Sequence, residues 1–275
     1  MEDETRAATR AFAEVNGTRL WVEIDGEGSP LVLIHGSPLD CRMWAPQVAA
    51  LAGTHRVIRY DVRGYGRSDP PDGTPYRHED DLAGLLDWLG IARAAVLGLS
   101  MGGRLAVDFA LAWPALVATL ILAGSSVSGY PWTDDLDALA AALQAALTQG
   151  GVAAAQALTL EEPLLQPALR EAEVRLALAD QVRAYSGWHW LHNDPVIAPQ
   201  PPAYTRLEEV AAPTLVITGE HDQPDIHGVA AALATRIPGA EATLVPGAAH
   251  MVNLETPEVF NDEVLGFLAR KMPSS

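Results

Sequence analysis

Cysteine is almost missing from this 275-residue chain, which has a single one, Cys41. One thiol cannot form an internal disulfide, and no Cys or His pattern near it resembles a zinc-binding motif. The sequence therefore predicts neither a disulfide framework nor a metal site. Cys41 is expected to be a half-buried small apolar residue.

Basic residues are also scarce, since 18 Lys and Arg stand against 35 Asp and Glu and give a formal net charge of −17. A chain this acidic is repelled by phosphate backbones and by anionic lipid surfaces. Nucleic acid is therefore not an expected partner. The acidic residues are spread along the whole chain, a distribution typical of a solvated surface.

Long apolar runs are not apparent, and no segment approaches the roughly 18 apolar residues that cross a bilayer. The chain begins Met-Glu-Asp-Glu-Thr-Arg, without the apolar stretch of a secretory signal peptide. These features predict a cytoplasmic protein with no membrane partner, and we expect it to be a monomer or a homodimer.

Short apolar runs alternate with helical stretches from residue 10 to residue 125, the pattern of βαβ units around a mainly parallel sheet. Leu20–Ile24 is followed by Asp25-Gly26-Glu27-Gly28, which predicts an edge hairpin leading into the buried run Leu31–Ile34. Further strands are predicted at Val57–Tyr60, Ala94–Leu97, Thr119–Leu122, Thr214–Thr218 and Ala242–Val245, with helices at Met43–Leu51, Glu79–Leu89, Gly103–Ala112, Val229–Arg236 and Pro257–Arg270.

Residues 126–206 lack strand patterns and have the Ala- and Leu-rich periodicity of helices, notably at Leu136–Leu147 and Pro167–Tyr185. The predicted fold class is therefore α/β, with a mostly parallel central sheet flanked by helices. Residues 1–125 and 207–275 would form the core, and residues 126–206 a helical insertion.

Gly98-Leu99-Ser100-Met101-Gly102 is a Gly-x-Ser-x-Gly motif between a predicted strand and a predicted helix. That context is the one in which the motif supplies a nucleophilic serine on a tight turn. The turn would aim the backbone N–H of Met101 at the oxyanion of a tetrahedral intermediate. The loop His35-Gly36-Ser37-Pro38 follows another strand, and we predict the N–H of Ser37 as the second donor.

A serine hydroxyl needs a histidine as base and an acid to orient that histidine. His250 follows the last predicted strand, and Asp222 follows the strand before it, which matches the chain order serine, acid, histidine. Asp225 and Glu220 stay open as alternatives for the acid. Three other histidines, His35, His221 and His227, are assigned to loop or surface roles.

These residues resemble the α/β-hydrolase superfamily: His35-Gly36, Asp61-x-Arg63-Gly64-x-Gly66-x-Ser68, Gly98-x-Ser100-x-Gly102, Asp222 and His250. Within it the chain is similar to 3-oxoadipate enol-lactonases, arylesterases and cofactor-free haloperoxidases. The resemblance implies hydrolysis of a small carboxylic ester or lactone without a cofactor, with residues 126–206 as a helical cap. It also implies that Asp61–Ser68 is a structural turn.

Aromatic residues of the insertion are the predicted substrate contacts, with Trp132 and Trp188 as first candidates beside Met251. Tyr185 and Trp190 are further candidates. His189 and His192 flank Trp190 and are possible polar groups of the pocket, but no third metal ligand accompanies them.

Three alternatives stay open from the sequence. A carbon–carbon bond hydrolase would use the same triad, although the usual loop of such enzymes, His-Gly-Ser-Gly-Pro-Gly, is not matched by His35-Gly-Ser-Pro-Leu-Asp40. Perhydrolysis could be a side activity of the same site. A noncatalytic ligand-binding protein of the same fold is the alternative from another class.

Overall fold

The computed structural model describes residues 9–133 and 135–272, and for residues 135–137 the backbone only. The acidic start of the chain, on which the expected lack of a signal peptide rests, lies outside these residues. An eight-stranded sheet has the order β1-β2-β4-β3-β5-β6-β7-β8. Its strands are β1 Thr9–Val15, β2 Thr18–Asp25, β3 Ser29–Ile34, β4 His55–Tyr60, β5 Ala94–Leu99, β6 Val117–Ala123, β7 Thr214–Gly219 and β8 Glu241–Val245.

The antiparallel edge of the sheet differs from the prediction. β1 pairs with β2 across Asn16 and Gly17, which both have positive φ (46° and 71°). An Asn-Gly pair with this backbone is the standard two-residue hairpin turn. The predicted hairpin from β2 into β3 is wrong, because β4 lies between these two strands in the sheet.

The remaining strands run parallel from β4 through β3, β5, β6 and β7 to β8. Helices cover both faces of this sheet, which confirms the predicted fold class. They are α1 Ala45–Leu51, α2 His78–Trp88, α3 Met101–Ala112, α7 Pro224–Arg236, α8 Val252–Glu255 and α9 Pro257–Lys271. Because parallel strands end at the same edge, the loops that follow β3, β5, β7 and β8 are brought together.

The segment between β6 and β7 contains α4 Asp135–Leu160, α5 Ala172–Ala184 and α6 Trp188–Leu191. Its designation as a separate cap stays a prediction. By length and composition, Ala138–Leu160 could cross a membrane, and only 6% of that apolar window is buried; the sequence prediction overlooked it. However, Gly151 has non-helical φ 67° and ψ −160° and divides α4 into two helices, each shorter than the roughly 20 residues that span a bilayer.

Asp108, on α3, is a buried carboxyl whose ionised form is disfavoured. One oxygen accepts a hydrogen bond from the Ser128 hydroxyl at 2.7 Å, and the other has no hydrogen-bond partner among the described residues. Burial raises the pKa of Asp108 to about 6, against the opposing effects of Ser128 and of Arg104. The neutral acid therefore contributes stability that is fully present below about pH 3.9 and is lost as the pH rises through about 6.

We expect Asp108→Asn to raise the free energy of unfolding by about 1–3 kcal/mol near pH 8, since the amide is neutral at every pH. Near pH 4.5, where Asp108 is itself mostly protonated, the gain should be small. Urea denaturation at both pH values measures the difference. Asp87→Asn, an exposed position on α2, is the control and should have little effect at either pH. A loss of stability near pH 8 would mean that the charged pair with Arg104 outweighs desolvation.

Candidate active site

Ser100 lies on a strained turn between β5 and α3. Its φ of 56° and ψ of −115° place it in a region that non-glycine residues rarely adopt. A Cβ at Gly98 would overlap the carbonyl of Gly102, and a Cβ at Gly102 would overlap the carbonyl of Ile34. Both positions therefore require glycine, and the turn can form only with this spacing.

Backbone hydrogen bonds hold this turn in place. The Ser100 N–H donates to the carbonyl of Ala123 at 3.0 Å, and the Ser100 carbonyl accepts from Ser126 N–H at 3.2 Å. The end of β6 thus fixes the conformation of the serine. This tertiary support is what makes a strained backbone persist at one defined position.

His250 follows β8 and lies beside that same end of β6. A Cβ built at Gly124, the residue after Ala123, would be 3.2 Å from the His250 Nδ1 and 3.3 Å from its Cε1. The imidazole is almost fully buried, with 3% of the residue exposed. It is thereby packed next to the strand end that also positions Ser100.

The acid beside His250 is Asp222. Both of its carboxylate oxygens are 3.1 Å from the His250 Nδ1, and Oδ1 also accepts the N–H of Gln223 at 2.8 Å. With the Nδ1–H donating to Asp222, the Nε2 is left free to accept a proton. The two alternative acids are engaged elsewhere, Asp225 by Thr133 and Glu220 by the N–H of Gly247.

Glu255 in α8 holds the histidine loop, a role for which the sequence offered no motif. Its two carboxylate oxygens accept the N–H groups of Ala249 at 2.8 Å and Met251 at 2.9 Å, the residues on either side of His250. Burial raises the pKa of Glu255, and these two hydrogen bonds oppose the rise. Glu255 is thus a positioning residue for the imidazole.

Of the two predicted oxyanion donors, Met101 adjoins Ser100 in the chain, and Ser37 follows a residue that packs against it. Met101 is the first residue of α3, so its N–H has no partner within the helix and lies at the positive end of the helix dipole. Gly36 brings the loop after β3 against the serine, since a Cβ there would be 3.4 Å from the Ser100 Cβ. Ser37 follows directly, and its role as a donor stays a prediction.

His35 lies in the loop after β3, which is one of the two roles predicted for it, but it is buried and not at the surface. Its Nε2 accepts the N–H of Val62 at 3.0 Å, and its Nδ1 lies 3.0 Å from the carbonyl of Gly36. Burial lowers the pKa of His35, which favours the neutral ring that these two bonds require. The residue joins the ends of β3 and β4 and so supports the predicted oxyanion loop.

Ser100 and His250 both line a cavity of about 710 Å³. Its surface is mostly apolar, and the predicted contact Trp132 forms part of the wall. The described residues that line it are Ser100, Ser126, Trp132, Thr133, Leu139, Glu162, Pro163, Leu164, Gln223, Pro224, Asp225, Ile226 and His250.

Trp188 and Met251, predicted as substrate contacts, are not among the residues that line this cavity. Trp188 stacks on His192, with ring centroids 5.1 Å apart. Met251 is 2% exposed and packs into the core on one face of the sheet. The structure therefore gives neither side chain a place in the cavity wall, because local aromatic or apolar character does not determine which way a residue faces.

Tyr185 and His189 pack the insertion against the core. The Tyr185 hydroxyl is 2.8 Å from the His189 Nδ1, and both rings stack on Tyr65 of the loop after β4. Trp190 meets the Tyr185 ring edge-on at 4.8 Å. These aromatic residues form structural contacts between the two parts of the fold.

Asp40, Cys41 and Asp61 are the one described group of acidic, His or Cys side chains close enough to share a metal ion. The carboxylate oxygens of this group already make other contacts. Asp61 accepts the N–H groups of Cys41 and Arg67, each at 2.8 Å, and Asp40 is paired with Arg42. Burial also raises the pKa of the Cys41 thiol, which disfavours the thiolate that metals bind. The lack of a metal site stays a prediction.

Comparison with known proteins now identifies the family. The alpha/beta hydrolase family model matches residues 31–263. The chain belongs to the alpha/beta hydrolase family. It is 34% identical to a 2-hydroxy-6-oxononadienedioate/2-hydroxy-6-oxononatrienedioate hydrolase of Burkholderia vietnamiensis, over 97% of this chain and 98% of that protein.

Two solved structures are similar to this alpha/beta hydrolase over nearly the full length of both chains. The enol-lactonase of Burkholderia xenovorans is 31% identical with a TM-score of 0.76, covering 94% of this chain and 99% of that one. A thermophilic esterase of Thermogutta terrifontis is 25% identical with a TM-score of 0.77, covering 96% and 99%. The resemblance inferred from the motifs is thereby confirmed, and the chain is a hydrolase.

Proposed function

We propose that this alpha/beta hydrolase cleaves a small carboxylic ester or lactone through an acyl intermediate on Ser100. The observation that carries the proposal is that Ser100, on its strained turn, and His250, paired with Asp222, line the same mostly apolar cavity. An apolar cavity of this kind suits an uncharged acyl chain or lactone ring.

In the proposed reaction, the His250 Nε2 takes the proton of the Ser100 hydroxyl as the serine oxygen attacks the carbonyl carbon. The N–H groups of Ser37 and Met101 donate to the resulting oxyanion, each worth about 3 kcal/mol in the transition state. His250 then gives its proton to the leaving alkoxide, and the acyl-serine forms. In the second half of the reaction, His250 takes a proton from a water molecule, and the water oxygen attacks the acyl carbon. His250 then returns the proton to the serine oxygen, and the carboxylic acid is released.

Carbon–carbon bond hydrolysis is the second candidate, because the Burkholderia vietnamiensis relative is named for substrates of that type. The word dioate in its name denotes two carboxylate groups. Among the described residues that line the cavity here, none is Lys or Arg, whereas Glu162 and Asp225 are both acidic. A dianion would have no cationic partner in this wall, so the lining favours an ester or lactone.

A fluorophosphonate that phosphonylates catalytic serines, followed by peptide mass spectrometry, tests the nucleophile. We expect one label, on Ser100. A pH-stat panel of p-nitrophenyl esters and lactones of graded size then tests the substrate class, with 2-hydroxy-6-oxononadienedioate as the rival substrate. Faster turnover of the dioate than of every ester and lactone would reject the proposal, and absence of both label and turnover would favour a noncatalytic binding protein.

A small-molecule substrate, a monomeric or homodimeric state and a cytoplasmic location stay predictions. The acidic composition supports the expectation of no nucleic acid partner. The proposed reaction uses only side chains and backbone N–H groups of this chain together with water, so it requires no cofactor.

A further inference from the structure

Glu162 places a carboxylate in the wall of the cavity that contains Ser100 and His250. It lies in the turn after α4, where its N–H donates to the Thr159 carbonyl at 3.2 Å and its own carbonyl accepts from Leu165 at 3.0 Å. The residue is half-buried. Its backbone is thus held while the side chain borders the cavity.

The Glu162 carboxylate makes no hydrogen bond or salt bridge with another described residue. Burial raises the pKa of Glu162, and the charge of His250 opposes the rise. Asp225, the other acid of the wall, differs because it accepts both the N–H and the hydroxyl of Thr133. Glu162 is therefore the acid of this wall that has no hydrogen-bond partner among the described residues.

We propose that Glu162 is a specificity-determining residue, which makes this site select uncharged and cationic esters over esters that carry a second carboxylate. The inference rests on the proposed ester hydrolysis at Ser100. An anionic acyl chain would lose its hydration beside an unpaired carboxylate, in an environment where repulsion is stronger than in water. Such a repulsive group is a common way to exclude a competing substrate.

Three methyl esters of similar length test the proposal: methyl hexanoate, monomethyl adipate and the methyl ester of ε-trimethylammonio-hexanoic acid. We expect wild-type kcat/KM in the pH-stat to be about tenfold or more lower for the adipate than for the hexanoate. Glu162→Gln should narrow that ratio by about three- to tenfold and lower the preference for the cationic ester over the hexanoate. Both comparisons are made within the same enzyme, so an equal effect of the variant on all three esters cancels.

Glu161→Gln is the matched control, since it removes the same charge from the exposed neighbouring residue, which is not among those that line the cavity. It should leave the adipate-to-hexanoate ratio unchanged. A second measurement needs no variant: added salt should narrow the wild-type ratio, because ions screen the repulsion.

Three results would each overturn the role of Glu162. They are an unchanged adipate-to-hexanoate ratio in Glu162→Gln, an equal change of that ratio in Glu161→Gln, and equal wild-type kcat/KM on adipate and hexanoate. The ester hydrolase would then still stand, because methyl hexanoate is turned over. If the wild type hydrolyses none of the three esters and Ser100 takes no fluorophosphonate label, both the specificity and the proposed function are wrong.

Discussion

Replacing Ser100 by alanine is expected to lower kcat/KM for p-nitrophenyl acetate by a factor on the order of 10⁴ or more. The variant keeps the predicted oxyanion donors and the His250–Asp222 pair but has no oxygen to form the acyl intermediate. What activity is left would come from water activated by the imidazole and from binding alone. Initial rates of nitrophenolate release, corrected for spontaneous hydrolysis, measure the effect.

Ser126→Ala is a suitable control for this variant, since Ser126 lines the same cavity and its hydroxyl donates to the Ser100 carbonyl at 3.3 Å. Loss of that single hydrogen bond should lower kcat/KM by about tenfold or less. Far-ultraviolet circular dichroism of both variants checks that they fold. Equal rates for wild type and Ser100→Ala would reject Ser100 as the nucleophile.

Replacing Asp222 by asparagine is expected to lower kcat by a factor on the order of 10³–10⁴ without unfolding the protein. The amide can donate to the Nδ1 of His250, which stabilises the tautomer that carries its proton on Nε2. That tautomer cannot accept the proton of Ser100. Because the side chains have nearly the same shape, the loss should appear in kcat far more than in the melting temperature.

Asp225→Asn provides the matched comparison, with the same chemical change three residues further on. Asp225 accepts hydrogen bonds from Thr133. Within the described part of the chain, it makes no hydrogen bond with the imidazole of His250. Its replacement should change kcat by about tenfold or less, since it removes no group that the proposed reaction uses. If Asp225→Asn instead causes the large loss and Asp222→Asn does not, the role of the acid moves to Asp225.

Much of the fold could be predicted because buried parallel strands are nearly continuous apolar runs. Val57–Tyr60 and Thr214–Thr218 were located this way, and they lie within β4 and β7. The first strand was missed although Asn16-Gly17 is the turn sequence that marks its hairpin. The predicted pairing of β2 with β3 was wrong because strand order depends on contacts between distant segments. Turn residues do not encode those contacts.

For the site, the motif and the chain order were sufficient to name Ser100 and His250, since the nucleophile turn tolerates few sequences. The motif and the chain order do not distinguish Asp222 from Asp225 and Glu220, which lie in the same loop region. In the structure the choice of Asp222 follows from the direction of the loop after β7, which turns Asp222 to the imidazole and Asp225 to Thr133.

Local sequence by itself determined where the strand-turn-helix at Ser100 lies, because a Cβ at Gly98 would overlap the Gly102 carbonyl of the same turn. Tertiary structure alone decided which distant side chains surround that turn: Asp222 against the imidazole, Glu255 beneath its loop, and Glu162 in the cavity wall. The physical reason is that steric limits on a turn act within a few residues. Long-range contacts depend instead on how whole helices and loops pack.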